Sequence, residues 1–283
     1  MPAADRVAAL LGDDVALLAI AAREAGAVAL GFFGRSPKVF TKGDHSPVTE
    51  ADLAVDARLA EVLGGARPGY GWISEESTAQ GDAGGTTFIV DPIDGTRAFI
   101  AGLDDWTISL AVAVAGRPTA AAVYCPVRDE MFLAGVGGGA FLGAERLSTS
   151  TAAALAGSRI AGPGRLFDDP AAQAAGIVRA DKIHSLAYRL ALVAAGRLDA
   201  AAASARACHW DLAAADLLVQ EAGGRLTDLA GRPVRYDGPD VRHPPLVAAG
   251  PALHEAFTAL VATIVEAPGR HGRPTGSAAS VRP

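Results

Sequence analysis

A chain of 283 residues is long enough for two domains, or for one large domain with a sizeable core. Half of its residues are hydrophobic and 33 are glycine, which excludes a disordered chain and fits a well-buried globular protein. The net charge is −6 with no lysine- or arginine-rich run, which argues against nucleic-acid polymers and membranes as partners and means that a phosphorylated ligand needs cations to mediate its contact.

The opening MPAADRVAALLGDD has neither a basic stretch nor a sustained apolar run, so no signal peptide is expected. Residues 14–33 read as a helix, with Val15, Leu18, Ala22, Ala25, Ala29 and Phe33 at helical spacing. Arg23 and Glu24 interrupt it, so it reads as a globular helix and not a membrane span. RSPKVFTKGDHSP then reads as a polar loop. A second helix follows in TEADLAVDARLAEVLGG: Thr49 can cap it, Asp52 stands at the capping-box position, and Gly64-Gly65 are expected to stop it. YGWIS and TFIVD read as short strands separated by a polar, glycine-rich loop at 77–86.

Residues 106–143 read as an antiparallel meander: two β-rich runs flank Gly116-Arg117-Pro118 and a third follows Arg128-Asp129-Glu130. Beyond STSTAAALAG, short strands alternate with helices. SRIAG, RLDAAAA, RLTD and PLVAAG read as strands; SLAYRLALVAAG, DLAAADLLVQEAGG and PALHEAFTALVATIV read as helices. The expected organisation is an α+β half over 1–148 and an α/β half over 149–267. The Pro/Gly/Ser-rich residues 268–283 are expected to be a disordered tail. Cys125 and Cys208 lack CxxC spacing, so inert buried thiols in a reducing, cytoplasmic setting are the default.

The chemistry concentrates in TTFIVDPIDGTRAFIAG, residues 86–102. An apolar strand ends in two carboxylates, Asp91 and Asp94, separated by a proline that fixes φ and removes an N–H. A stiff turn of this kind offers hard oxygen ligands and the Ile93 carbonyl to a divalent cation such as Mg²⁺. Gly95 and Thr96 open a short helix whose N–H groups suit a phosphate oxygen. The plain alternative is a turn with both aspartates serving as caps. SEES, residues 74–77, ends the preceding strand, so two neighbouring strands would set Glu75 beside Asp91. Asp211, in CHWDLAAAD, reads alone as a helix cap and could also approach from the second half.

Together, SPVTEAD at 46–52, Glu75-Glu76, DPIDGT at 91–96, and WDLAAAD with EAGG at 210–224 resemble the inositol monophosphatase superfamily of metal-dependent phosphomonoesterases. The resemblance spans about residues 14–265 and implies a layered αβαβα fold with two to three Mg²⁺ ions at the junction of the halves. It implies that Glu75, Asp91 and the Ile93 carbonyl hold one ion, and that Asp91, Asp94 and Asp211 hold a second. Asp52 and Thr96 match the groups that orient and deprotonate the attacking water, with Glu75 beside them. Gly95 and Thr96 match phosphate contacts, and Glu76 an acid behind the ligands. Lithium sensitivity and a homodimer are also implied. Asp52 has a second reading, as the partner of Thr49 in a capping box.

The substrate is less legible. The family's inositol-hydrolysing members carry an acidic residue where this chain has Ser204. Arg97 and SPVTEAD look more like the 3′(2′),5′-bisphosphate nucleotidase branch. Lys182, Arg189 and Arg206 could pair with a second phosphate, and each also reads as an ordinary solvated charge. His184 and His209 could meet a base or sugar, or could be structural. The expected activity is hydrolysis of a phosphomonoester, best read as phosphoadenosine phosphate, with inositol monophosphate and then histidinol phosphate as alternatives. A non-catalytic metabolite-binding protein is the reading from a different class.

Overall fold

A computed structural model describes residues 3–43, 46–77 and 85–266. The expected tail at 268–283 and most of the loop at 77–86 lie outside the described residues.

Two helices open the chain, α1 (Ala3–Leu11) and α2 (Asp13–Phe32). The hairpin strands β1 (Val39–Thr41) and β2 (Pro47–Thr49) lead into α3 (Glu50–Ala66). Then come β3 (Gly71–Ser74), β4 (Thr86–Asp94), the short α4 (Thr96–Ile100), β5 (Thr107–Val114), β6 (Arg117–Cys125), β7 (Glu130–Gly135), β8 (Gly139–Leu142) and β9 (Glu145–Arg146). The remainder is β10 (Arg159–Ala161), α5 (Gly164–Asp168), α6 (Pro170–Ala174), β11 (Val178–Arg179), α7 (Leu186–Ala194), β12 (Ala200–Ala203), α8 (His209–Glu221), β13 (Arg225–Asp228), β14 (Leu246–Ala249) and α9 (Pro251–Glu266).

Strands β3 to β9 form a seven-stranded sheet in sequence order, antiparallel except for the parallel pair β3–β4. Strands β10 to β14 form a five-stranded sheet in the order β11-β10-β12-β14-β13. The first sheet is covered on both faces, and this explains its composition. In β5, Ile108, Leu110 and Val112 face a core shared with α2 and α3, while Ala111 and Ala113 face α7 and α8. A strand buried on both sides reads as a continuous apolar run and not as an alternation. The five-stranded sheet closes the second core from beyond α7 and α8, and α9 with α5 and α6 covers its outer face. The layers therefore run α-β-α-β-α, the expected sandwich.

Alanine and glycine bring these layers close. Gly26 of α2 lies so near β6 that an added Cβ would meet the Tyr124 ring at 2.7 Å. Helix α2 is as long and apolar as a membrane span. Its buried residues, Leu18, Ala22 and Ala25 among them, pack instead into the core beneath the first sheet. Each fully buried Val, Leu or Phe adds roughly 1.5–3 kcal/mol of hydrophobic stabilisation.

Several local expectations change. Residues 39–41 and 47–49 pair as an antiparallel hairpin where a loop was expected. Gly64 and Gly65 do not end α3, which runs to Ala66 and is closed by the Arg67 N–H bonding Leu63 O. The carboxylates of 91–94 do not sit on a free turn. β4 continues through Pro92 with a bulge, and pairing with β5 resumes at Asp94 opposite Thr107. A bulge adds residues on one strand and re-aims its side chains, which is how Asp91 and Asp94 come to leave the strand in related directions.

Candidate active site

The site forms where the C-terminal ends of β3 and β4 meet the N-termini of α3, α7 and α8. Ser74 pairs with Val90, and the Glu75 N–H donates to Val90 O at 3.3 Å, so Glu75 stands beside Asp91. Asp211 is the third residue of α8. There it acts not as the cap but as the capping-box partner, its Oδ2 accepting from the Cys208 N–H at 2.6 Å. This fixes a carboxylate at the helix start, where the macrodipole also favours it.

Asp91, Asp94 and Asp211 each present an oxygen within 4.8 Å of the others. Asp94 Oδ2 accepts from the Ser185 hydroxyl (2.7 Å) and the Ala187 N–H (2.6 Å) at the start of α7. Asp91 Oδ1 accepts from the Ile93 N–H at 3.1 Å, while Oδ2 is buried with no donor among the described residues. Burial and mutual repulsion push the carboxyls of Asp91 and Asp211 well above the usual range, and Asp94 to about 6. Three carboxylates packed together, one with an unserved oxygen, call for a positive charge. The donor set is all hard oxygen, so it fits Mg²⁺ rather than a soft metal.

A lysine that the sequence reading did not single out supplies one such charge. Lys42, between the hairpin strands, places Nζ 2.8 Å from Glu75 and 2.6 Å from Glu76. Nothing in its own neighbourhood marks it, because the contact crosses more than thirty residues. Burial raises the Glu76 carboxyl to about 7, and its side chain is almost fully covered.

Asp52 holds both of its proposed positions at once. Oδ2 accepts from the Thr49 N–H (2.8 Å) and hydroxyl (2.5 Å), completing the capping box of α3. Oδ1 faces the Thr96 hydroxyl at 3.3 Å, and that hydroxyl also lies 3.2 Å from the Ile93 carbonyl. Burial raises the Asp52 carboxyl, so it is a readier proton acceptor than a solvated aspartate. Gly95 has φ +96, and a Cβ there would press on Ser185 N at 3.2 Å and Trp106 Cα at 3.3 Å. Only glycine lets β4 and α7 close this far.

A cavity of about 390 Å³ opens beside Glu75, Gly95 and Thr96, and its far wall carries Arg179, Lys182, His184 and Arg189. Ser204 and Arg206 do not join it. Both lie just past the end of β12, exposed, on the stretch that leads into α8 and Asp211. His209 is buried against Tyr236 and hydrogen-bonds His243, as a packed structural residue does.

Comparison with known proteins gives one consistent result. The profile of the inositol monophosphatase family matches residues 13–266. A histidinol-phosphatase of Mycobacterium tuberculosis is 36% identical over 235 residues, covering 77% of this chain and 88% of that protein. Among solved structures, an IMPase of Thermotoga maritima superposes with a TM-score of 0.79 at 28% identity, covering 88% of this chain and 96% of the other. SaIMPase-II with 2′-AMP bound superposes with a TM-score of 0.71 at 25% identity, covering 86% and 95%.

Proposed function

The chain belongs to the inositol monophosphatase family and is a phosphoric monoester hydrolase; on that premise we propose that it uses Mg²⁺ to hydrolyse a nucleoside 3′(2′),5′-bisphosphate. In this reading Glu75, Asp91, the Ile93 carbonyl, Asp94 and Asp211 hold the ions. An Mg²⁺ ion held there would make a water more acidic and would neutralise charge on the phosphoryl oxygens. Thr96 and Asp52 orient that water and take its proton, and Asp52 is held for the task by Thr49. The N–H groups of Gly95 and Thr96 receive a phosphate oxygen.

One observation favours a second anionic group on the substrate. Arg97, Arg179, Lys182 and Arg189 all line the cavity, and among the described residues none of them forms an ion pair. Arg189 is largely buried. Among the described residues its guanidinium donates only to the carbonyls of Ile183 and Ala202, and its Nε has no partner. Cations left unpaired in a cavity suit a phosphate, which arginine can grip with two parallel bonds. The 2′-AMP complex of SaIMPase-II agrees with a nucleotide substrate. The relationship to a histidinol-phosphatase favours a second reading, histidinol phosphate.

Measuring kcat/KM on phosphoadenosine phosphate, histidinol phosphate and inositol 1-phosphate separates these. The bisphosphate is expected to lead, and Lys182→Ala to cost it about 10–100-fold while sparing the monophosphates. Preference for histidinol phosphate, unaffected by that substitution, overturns the bisphosphate reading.

A further inference from the structure

EAGG, residues 221–224, closes α8, and the site described above makes no use of it. Its glutamate reaches across to the first sheet. Glu221 Oε1 accepts from the Gly137 N–H and Oε2 from the Gly139 N–H, both at 2.8 Å. These glycines belong to the turn that leads from β7 into β8, with φ +73 and +95, and a Cβ on Gly139 would run into the Arg146 guanidinium at 2.7 Å. The left-handed backbone that glycine permits lets both N–H groups meet one carboxylate. Both bonds are charge-assisted, and a carboxylate held by two donors is fixed in direction as well as in distance.

Helix α8 needs such a hold. Asp211 stands in its first turn and Glu221 in its last, about 15 Å apart along the axis. The helix packs on β5, β6, β7 and β8. Alanine dominates that contact: Ala213, Ala214 and Ala215 share a core with Ala111, Ala121 and Ala134. Methyl groups interdigitate little, so this packing brings the helix close and leaves its axial position loosely set. Asp94 and Glu75 repel Asp211 when no cation lies between them. At the near end a neutral bond resists this, from the Ser109 hydroxyl to the Trp210 carbonyl at 3.1 Å. The charged, two-pronged contact is at the far end. Resting on the metal-dependent reading above, we propose that Glu221 is a positioning residue for Asp211: its grip on the β7–β8 turn sets the axial position of α8, and so how far Asp211 reaches into the carboxylate cluster. An arriving ion then meets a ligand already in place and does not have to draw the helix in.

Magnesium uptake without substrate tests this. When Mg²⁺ is titrated into the metal-free protein in a calorimeter, Glu221→Ala is expected to bind it about 10-fold more weakly than wild type. Glu221→Gln keeps one acceptor oxygen and should bind it about threefold more weakly. At saturating Mg²⁺, kcat on p-nitrophenyl phosphate should stay within about threefold of wild type in both, because the reaction centre itself is unchanged. Leu253→Ala, in the core outside the five-stranded sheet, is the stability control: it should lower the melting temperature and leave the Mg²⁺ titration unmoved. Melting curves check folding, and the Gln variant decides if the Ala variant does not fold. Wild-type Mg²⁺ affinity in the folded Glu221 variants, or an equal weakening in Leu253→Ala, overturns the proposal. A wild-type protein that takes up no Mg²⁺ overturns the metal reading and this proposal with it.

Discussion

Asp94→Asn is expected to lower phosphate release by on the order of 10³-fold, with the fold intact or more stable. The side chain is held by the Ser185 hydroxyl and the Ala187 N–H, and an amide oxygen still accepts from both. What the substitution removes is one negative charge from a ring of carboxylates. With a bound cation that charge is a ligand; without one it is repelled by Glu75, Asp91 and Asp211. Activity and metal-free stability should therefore move in opposite directions, as they do where function requires charges that folding alone would reject. Rates equal to wild type refute the ligand assignment. A large loss of stability makes the residue structural instead.

The metal-free enzyme should be stabilised by mild acid. Burial, the leading cause, raises the folded carboxyl of Asp94 to about 6, and those of Asp91 and Asp211 well above their unfolded values. Above pH 4 the folded state then binds more protons at these positions than the unfolded chain does. Their contribution to stability is present at low pH and is lost as pH rises through about 6 and beyond. In chelator, melting temperature should fall between pH 4 and pH 7, and the fall should be smaller in Asp94→Asn. Adding Mg²⁺ at pH 8 should reverse it. A hundredfold excess over Kd is worth about 2.7 kcal/mol, or roughly 5 °C for a chain of this size. A melting temperature blind to Mg²⁺, with no fall between pH 4 and pH 7, contradicts this account.

How much of this the sequence carried depends on how local the cause was. The strand before Asp91 was legible because Phe88, Ile89 and Val90 are apolar on both faces, and two carboxylates in such a frame demand a reason. Thr49 and Asp52 announce α3 through capping chemistry confined to four residues. The hairpin at 39–49 was not legible: Val39, Phe40 and Thr41 are all exposed, so no buried alternation marks it. Gly64 and Gly65 are helix breakers in isolation, but Leu59 and Leu63 bury the last turns of α3 and carry it past them. The bulge in β4 depends on Thr107 of a later strand, and the roles of Lys42 and Glu221 depend on partners more than thirty residues away. Ser204 was placed by counting back from Asp211 and Arg206 by its segment, and position along the chain does not give direction in space.

Crystals soaked in Mn²⁺, which shares the oxygen preference of Mg²⁺ and scatters anomalously, test the central claim most directly. Anomalous peaks are expected between Asp91, Asp94 and Asp211, and between Glu75 and Asp91, with Lys42 withdrawn from Glu75. A map without a peak at these carboxylates, at Mn²⁺ concentrations that support turnover, contradicts it.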